Sequence, residues 1–128
     1  SDKGITLHVT PPEDWDLAPS ERLRSTLNRF PNITGLIIDD DNAVIPAPQT
    51  FTELGMQVPE DLSVAVVVPD VLREQMRIPY TAIDINLPAV AQEAVDTLVR
   101  RIDNPNAPSR LVSQPLIRQH SVKSLIKL

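Results

Sequence analysis

The sequence predicts an α/β fold, a mostly parallel sheet with helices on both faces. Strand and helix signals alternate along the chain of 128 residues, and this alternation is typical of parallel sheets because each crossover between parallel strands accommodates a helix. Residues 63–68 are a run of small and β-branched side chains, which suits a strand covered on both faces. Residues 87–102 place apolar side chains on one wide stripe of a long helix.

The first half of the chain contains two predicted strands and two predicted helices. Residues 5–9 alternate in polarity as a short strand does, and a proline-rich loop follows. A helix spans 19–30, between two prolines that suit its start and its stop. Residues 35–38 predict a core strand. The next helix carries prolines near its start and ends at Gly55, because glycine takes the left-handed conformation at low cost.

The second half continues the alternation. After strand 63–68, residues 70–76 predict a short helical segment and 80–85 a strand, followed by helix 87–102 and an extended segment at 110–118. Ligands of such sheets bind outside the carboxyl ends of the strands. The places to search for a site are therefore the loop after the first strand and the ends of the second and third strands.

Composition excludes several classes of function. The chain has no cysteine, which removes disulfides, thiolate catalysis and zinc–thiolate sites. Its longest apolar runs are far shorter than the roughly 20 residues of a membrane-spanning helix, so we expect no membrane partner. The formal charge of −5 and the scattered basic residues argue against nucleic-acid binding by this chain. We expect any DNA contact to be made by a separate domain.

No catalytic motif is visible. The chain has only three glycines and no glycine-rich phosphate loop, and neither histidine has a partner at metal-ligand spacing. We therefore expect a protein that is not an enzyme and needs no metal or cofactor. The chain begins at Ser1 without an initiator methionine, so we expect it to be a processed product or part of a longer protein.

Two polar or aromatic features stand out at the predicted strand ends. Asp39, Asp40 and Asp41 are adjacent carboxylates that repel one another. They could accept sugar hydroxyls, cap the following helix or hold Mg²⁺, and helix capping in a solvated turn is the structural alternative. Trp15, the only tryptophan, could stack on the apolar face of a sugar or cover the core.

The segment from 53 to 64 carries a family resemblance. Its sequence, Glu-Leu-Gly-Met-Gln-Val-Pro-Glu-Asp-Leu-Ser-Val, closely resembles the Glu-Leu-Gly-x-x-Val-Pro-Glu-Asp-x-Ser-Val signature of the lactose/galactose-repressor (LacI/GalR) family of transcription regulators. The resemblance covers roughly residues 4–121 and implies a periplasmic-binding-protein-like fold. It also implies a cytoplasmic homodimer in which a small-molecule effector, sugar-like in this family, alters DNA binding by a remote headpiece.

The resemblance implies which part of such a regulator this is and which residues it uses. Residues 1–128 correspond to a C-terminal portion of the effector-binding and dimerisation domain, without the DNA-binding headpiece and most of the other lobe. The family's ligand-binding Asn-Asp pair falls on Asp40 and Asp41, and Trp15 matches a tryptophan beside the effector in some members. Family dimers use the helix after Asp41 and the segment before residue 77, which implies dimer contacts at Ile45, Pro48 and Met76.

The chain departs from the family at the end of the third strand. Val68 stands where the family has a carboxylate that holds sugar hydroxyls, and Ile85 and Leu87 replace later polar and aromatic contacts. These changes predict a more apolar effector or a pocket that no longer binds sugar. Helix 87–102 is a core helix by its pattern, but in the family it belongs to the other lobe, and its stripe would then be an association surface.

Two further functions stay open beside the regulator. One is a solute-binding protein of a transport system, and a related possibility is a degenerate lobe that acts only as a dimerisation scaffold. The other is an enzyme or phospho-receiver, suggested by acidic strand ends in an α/β chain of this size. A receiver requires an acidic pair on the first strand and a lysine at a later strand end, and this sequence has neither at the expected place.

Overall fold

The computed structural model describes residues 4–124. The strands are β1 (Gly35–Ile38), β2 (Ser63–Val68), β3 (Thr81–Asp84) and β4 (Leu116–Ile117). The α-helices are α1 (Pro19–Arg29), α2 (Asp41–Val44), α3 (Ala47–Glu53) and α4 (Leu87–Asp103), and 3-10 turns occur at Pro12–Asp14 and Asp70–Gln75. No helix among the described residues is long and apolar enough to span a bilayer.

The four strands form one sheet in the order β1-β2-β3-β4. The pairs β1–β2 and β2–β3 are parallel, with Leu36 opposite Val64 and Val66 opposite Ala82. The short β4 adds to β3 in the antiparallel sense. The predicted mostly parallel sheet is therefore confirmed, and its three parallel strands have their carboxyl ends at one edge.

The core lies between one face of the sheet and the first three helices. Every second side chain of β2 is completely buried (Val64, Val66 and Val68), because successive side chains of a strand point to opposite faces. Leu23 and Leu27 of α1 and Phe51 of α3 join the same buried cluster. On the opposite face, Ile37 of β1 remains 69% exposed.

Residues 5–9 do not form the predicted strand. Their alternation is real, but a strand also needs a neighbour for its backbone groups, and within residues 4–124 the edge strand β1 pairs only with β2. Ile5, Leu7 and Val9 are exposed as a result. The segment is held instead by the ring of His8, which stacks on Phe30 with centroids 4.2 Å apart.

The predicted helix after Asp41 is divided into α2 and α3. The division falls before Pro46 and Pro48, which lack the backbone N–H that a helix interior requires. Gly55 has a φ of +68° and ends the second piece as predicted. The predicted extended segment at 110–118 contributes only the two residues of β4 to the sheet.

The interpretation of helix 87–102 as a core helix is wrong. The helix is present as α4, but none of its residues is buried. Its apolar stripe includes Leu87, Val95, Leu98, Val99 and Ile102, all of them exposed. The apolar pattern predicted the helix correctly. Within the described residues no other element covers the apolar stripe, and the family resemblance had implied this result.

The C-terminal segment is fixed to the sheet by Ser121. The Ser121 hydroxyl donates to the Val64 carbonyl over 2.6 Å and accepts from the Thr81 backbone N–H over 2.7 Å. The backbone N–H of Val64 in turn donates to the Ser121 carbonyl at 2.8 Å. This buried hydroxyl therefore joins β2 and β3 to a segment far away in sequence, and no local pattern indicated it.

Candidate functional site

A cavity of about 1170 Å³ lies beside β1. One wall is the segment 4–10, and the opposite wall is residues 33–40, which include all of β1. Helix α1 contributes Arg22, Leu23 and Thr26. Two of the three predicted search places meet here, because the loop after residue 10 and the carboxyl end of β1 both reach the same cavity.

Arg22 joins the two parts of the predicted site. Its Nη1 donates to Oδ2 of Asp40 at 2.8 Å, and its Nη2 donates to the carbonyl oxygen of Trp15 at 2.9 Å. A further bond of 3.1 Å reaches the Leu17 carbonyl. One side chain therefore holds the Trp15 loop against the carboxyl end of β1. No sequence motif pointed to Arg22; the one available signal was a cation on the helix that precedes an acidic strand end.

Asp40 is engaged in two structural contacts. Its Oδ1 accepts the backbone N–H of Asn42 at 3.0 Å and so caps α2, while Oδ2 accepts from Arg22. The structural alternative for Asp40, helix capping, is thus observed. Each carboxylate oxygen can accept more than one hydrogen bond, and the side chain of Asp40 is 30% exposed. Acceptor capacity therefore remains for a ligand hydroxyl.

The other two acidic residues separate from Asp40 and from each other. Asp39 lines the cavity, whereas Asp41 lies in the exposed first turn of α2 and is not part of the lining. Within residues 4–124 no group of three potential metal ligands comes together. In this run Asp40 therefore caps α2, Asp39 and Asp40 line the cavity, and Asp41 is exposed outside the lining.

Trp15 does not cover the core. Its side chain is 61% exposed, and its Nε1 donates to the Thr10 carbonyl at 3.3 Å. The loop that carries it is anchored by Asp14, a buried carboxylate that accepts the Ser25 hydroxyl at 2.8 Å. The indole face is thus open at the cavity wall and can stack on a ligand ring.

Arg22, a residue of the cavity wall, has one buried donor without a partner. Within residues 4–124 the Nε of Arg22 makes no hydrogen bond, although it is buried. An unsatisfied buried donor costs about 1–3 kcal/mol, and the protein encloses this Nε, so a ligand does not reach it in the observed arrangement. The indole face of Trp15, the carboxylate of Asp40 and the partly exposed guanidinium of Arg22 together fit a small polyhydroxylated molecule.

The carboxyl end of β2 contributes nothing to this cavity, which β2 lines only through Ser63 and Ala65. Val68 is completely buried in the core, and Asp70 pairs with Arg73 at 2.8 Å. Ile85 and Leu87 are not among the lining residues either. The positions at which the sequence departs from the family therefore lie outside the cavity that contains Trp15, Arg22 and Asp40.

The three predicted dimer residues lie in different environments. Ile45 is exposed just after α2, and Pro48 is half-buried within α3. Met76 follows the 3-10 turn and packs against the core. Of the three, only Ile45 is exposed.

The comparison with protein families finds one domain type along nearly the whole chain. The sequence profile of the periplasmic binding protein-like domain matches residues 4–122. No curated protein matches the sequence significantly.

Similar solved structures are LacI-family transcriptional regulators, which confirms the resemblance seen at residues 53–64. A LacI-family transcriptional regulatory protein from Corynebacterium glutamicum is 28% identical, with a TM-score of 0.60 over 82% of this chain and 41% of that one. The transcriptional regulator CelR in complex with cellobiose is 27% identical, with a TM-score of 0.64 over 80% and 32%. A LacI family regulator from Bifidobacterium animalis subsp. lactis is 23% identical, with a TM-score of 0.70 over 84% and 41%. This chain therefore spans less than half the length of these regulators.

Proposed function

The chain belongs to the periplasmic binding protein-like domain family, and we propose that it is the C-terminal part of the effector-binding and dimerisation domain of a LacI/GalR-type transcription regulator. In this proposal the DNA-binding headpiece and most of the second lobe lie outside these residues. The similar solved structures are regulators and not enzymes, which supports a sensing role. A regulator of this type acts on DNA in the cytoplasm.

The effector is a small sugar-like molecule bound at the end of the cavity beside β1. The observation that carries this proposal is the convergence of Trp15, Arg22 and Asp40 on one cavity. The CelR structure, 27% identical to this chain, contains cellobiose, which supports a saccharide as the class of ligand. The indole face suits a sugar ring, and Asp40 and Arg22 supply an acceptor and a donor for its hydroxyls.

Ligand state reaches the DNA through lobe orientation and the dimer. An effector shifts a two-state equilibrium only if it binds the two lobe arrangements with different affinity. Arg22 and Asp40 lie at the junction of α1, β1 and α2, and the proposed dimer residue Ile45 directly follows α2. The proposed homodimer contact consists of Ile45, Pro48 and Met76. The proposed ligand site therefore adjoins α2, and α2 leads directly to Ile45 of the proposed subunit contact. A movement at the site could thus be transmitted to the contact through this short helix.

Fluorescence of Trp15 tests the effector site in this chain, because it has no other tryptophan. We expect cellobiose or glucose to change the emission in a saturable way, with an affinity weaker than micromolar because only one lobe's residues are present. Asp61→Asn serves as a control, since Asp61 accepts the Gln57 N–H in a turn and is not among the cavity-lining residues. Unchanged emission with every sugar of a monosaccharide and disaccharide series would contradict the proposal.

A dimerisation scaffold without a ligand is the second candidate. It is favoured by the apolar Val68, Ile85 and Leu87 at positions where the family places ligand contacts. A scaffold would form a stable dimer whose stability and oligomeric state do not respond to sugars. The fluorescence titration combined with light scattering separates these two functions.

A further inference from the structure

The cavity beside β1 separates two stretches of backbone. One is β1 itself, and the other, on the opposite wall, is the segment of residues 5–9. The cavity volume of about 1170 Å³ exceeds the roughly 300–1,000 Å³ of typical small-molecule pockets. A sugar-like effector between Trp15 and Asp40 therefore accounts for one end of the cavity and not for its length along β1.

The β1 wall presents unpaired backbone hydrogen-bonding groups. In the parallel ladder the backbone groups of Leu36 and Ile38 face β2, whereas those of Gly35 and Ile37 face the cavity. Within residues 4–124 no strand pairs with this edge. Such an edge is a template to which a further extended segment adds through main-chain hydrogen bonds.

The opposite wall has the sequence pattern of a strand but pairs with no strand within residues 4–124. Ile5, Leu7 and Val9 alternate with polar residues, and they are 70%, 81% and 72% exposed. The stacking of His8 on Phe30 holds this segment across the cavity from β1. A strand between the two walls would pair with both, and residues 5–9 would gain the neighbour that their backbone groups require.

The side chains of the cavity wall determine the chemistry of its occupant. Leu23 and Ala43, which belong to the core between the sheet and the helices, line the cavity together with Phe30 and Ile33. Successive side chains of a strand point to opposite faces, so every second residue of an inserted strand would contact this apolar wall. The occupant that fits is therefore an extended segment with apolar side chains at alternate positions.

We propose that the cavity accommodates one β-strand from the part of the longer polypeptide outside these residues, inserted between β1 and residues 5–9. This rests on the proposed function, in which the chain is one portion of a regulator. The chain covers 41% of the regulatory protein from Corynebacterium glutamicum and 32% of CelR, so the remaining length of such a regulator is ample to supply a strand. The inserted strand extends the sheet beyond β1, and residues 5–9 become its new edge.

Amide hydrogen exchange, followed by NMR in the chain of 128 residues and in the intact regulator, tests the proposal. We expect the amides of Gly35 and Ile37 to exchange at least about 100-fold more slowly in the intact regulator, because they are then bonded to the inserted strand. Leu36 and Ile38, whose backbone groups face β2, are the internal controls and should be protected in both proteins. Equal exchange of Ile37 in the two proteins would overturn the proposal. Protection that rises with the concentration of the shorter chain alone would also overturn it, since a second copy would then be the occupant.

Two variants at one position provide a second measurement. Ile37→Pro removes the backbone N–H that faces the cavity, a change that edge strands tolerate, whereas Ile37→Thr retains the N–H and the β-branched side chain. We expect the difference in Tm between the two variants to be larger in the intact regulator than in the chain of 128 residues. The comparison cancels any strain that proline itself causes in β1, so an equal difference in both proteins would overturn the inserted strand.

The result is separable from the proposed function. Sugar binding is measured by the response of Trp15, which lies at the end of the cavity and not beside Gly35 and Ile37. If Ile37 is protected in the intact regulator and no sugar changes the emission of Trp15, the effector proposal fails and the inserted strand stands. The reverse pair of results would overturn the strand and leave the effector site.

Discussion

At the residue scale, Arg22 is the side chain on which the arrangement of the candidate site depends. It makes three hydrogen bonds that reach Asp40 and the backbone of the Trp15 loop. Its side chain is 27% exposed, so its ion pair with Asp40 is screened by solvent less than a fully exposed pair is. The position of the indole relative to β1 follows from these contacts and not from the loop sequence alone.

Replacing Arg22 tests this dependence. Arg22→Gln removes the ion pair and the bonds to two carbonyl groups, so we expect a loss of about 1–3 kcal/mol in the free energy of unfolding, measured with urea. Arg24→Gln in the same helix is the matched control. Arg24 pairs with Glu53 where both side chains are 41% exposed, so its loss should be within about 1 kcal/mol. Equal losses in the two variants would contradict the anchoring role of Arg22.

Ser121 provides a second test at this scale. Ser121→Ala leaves the Val64 carbonyl and the Thr81 N–H without their buried partner, and we expect the free energy of unfolding to fall by about 1–3 kcal/mol. Ser113→Ala, at an exposed position of the same C-terminal segment, should change it by less than about 0.5 kcal/mol. If thermal and urea unfolding show the same stability for both variants, Ser121 does not fix the segment to the sheet.

At the element scale, β1 presents an unpaired edge. The bond from the Ser63 N–H to the Thr34 carbonyl starts the ladder between β1 and β2. In a parallel ladder alternate residues point their backbone groups to opposite neighbours, so Gly35 and Ile37 direct theirs toward the cavity. Within residues 4–124 no strand pairs with this edge. An exposed edge next to an exposed isoleucine favours association between chains.

A charge at the edge should suppress this association. Ile37→Lys places a lysine where the side chain is already 69% exposed, so we expect little change in stability but less concentration-dependent self-association. The measurement is size-exclusion chromatography with light scattering over a range of concentrations. Leu111→Lys, at a fully exposed residue outside the edge, is the control. Association that falls equally in both variants would show that general charge, and not the edge, is responsible.

On its polar side, helix α4 carries an ion pair between Arg100 and Glu93, and Glu93 is the group that titrates. The hydrogen bond from Arg100 to Glu93, 2.8 Å long, lowers the pKa of Glu93 below its ordinary value. The stabilising contribution of this pair is therefore present above the ordinary glutamate pKa and is lost as the pH falls through the lowered value. We expect carbon NMR to show a lowered midpoint for Glu93 that rises toward the ordinary value in Arg100→Gln. An unchanged midpoint in that variant would contradict the pairing.

At the scale of the whole molecule, the sequence predicted the elements whose signals are local. The β-branched run of β2, the helix between Pro19 and Phe30 and the stop at Gly55 all depend on neighbouring residues, and all are present. Local signals could not predict that residues 5–9 form no strand or that α4 has no buried residue. An amphipathic pattern shows which side of an element is apolar but not which other element covers it.

In the candidate site, too, some residues could be predicted from local sequence and others depend on the folded arrangement. Trp15 and Asp40 could be selected from residue type and strand position, and both lie on the cavity beside β1. Arg22 could not be assigned its role, because its bond to Asp40 joins residues 18 positions apart through the folded arrangement of α1 and β1. Asp41 looked equivalent to Asp40 in sequence, but Asp40 is the N-cap of α2 and lines the cavity, whereas Asp41 is the first residue of the helix and does not line it.

Within residues 4–124 the molecule combines a covered core face, an open cavity along β1 and an α4 without buried residues. Such a molecule is suited to packing against further polypeptide, as expected if the chain is one portion of a longer regulator. We propose that it holds a sugar-like effector between the Trp15 loop and the end of β1. The acidic pair at the start of α2 allows this function to be tested with minimal change, because asparagine caps a helix as well as aspartate does.

The most direct test is calorimetric titration of cellobiose and glucose into the Asp40→Asn and Asp41→Asn variants. The predicted result is that Asp41→Asn binds like the unmodified protein, while Asp40→Asn, which retains the cap on α2 but loses the ion pair with Arg22, binds at least about tenfold more weakly. Binding that is absent from the unmodified protein, or equally weakened in both variants, would contradict an effector site at the end of β1.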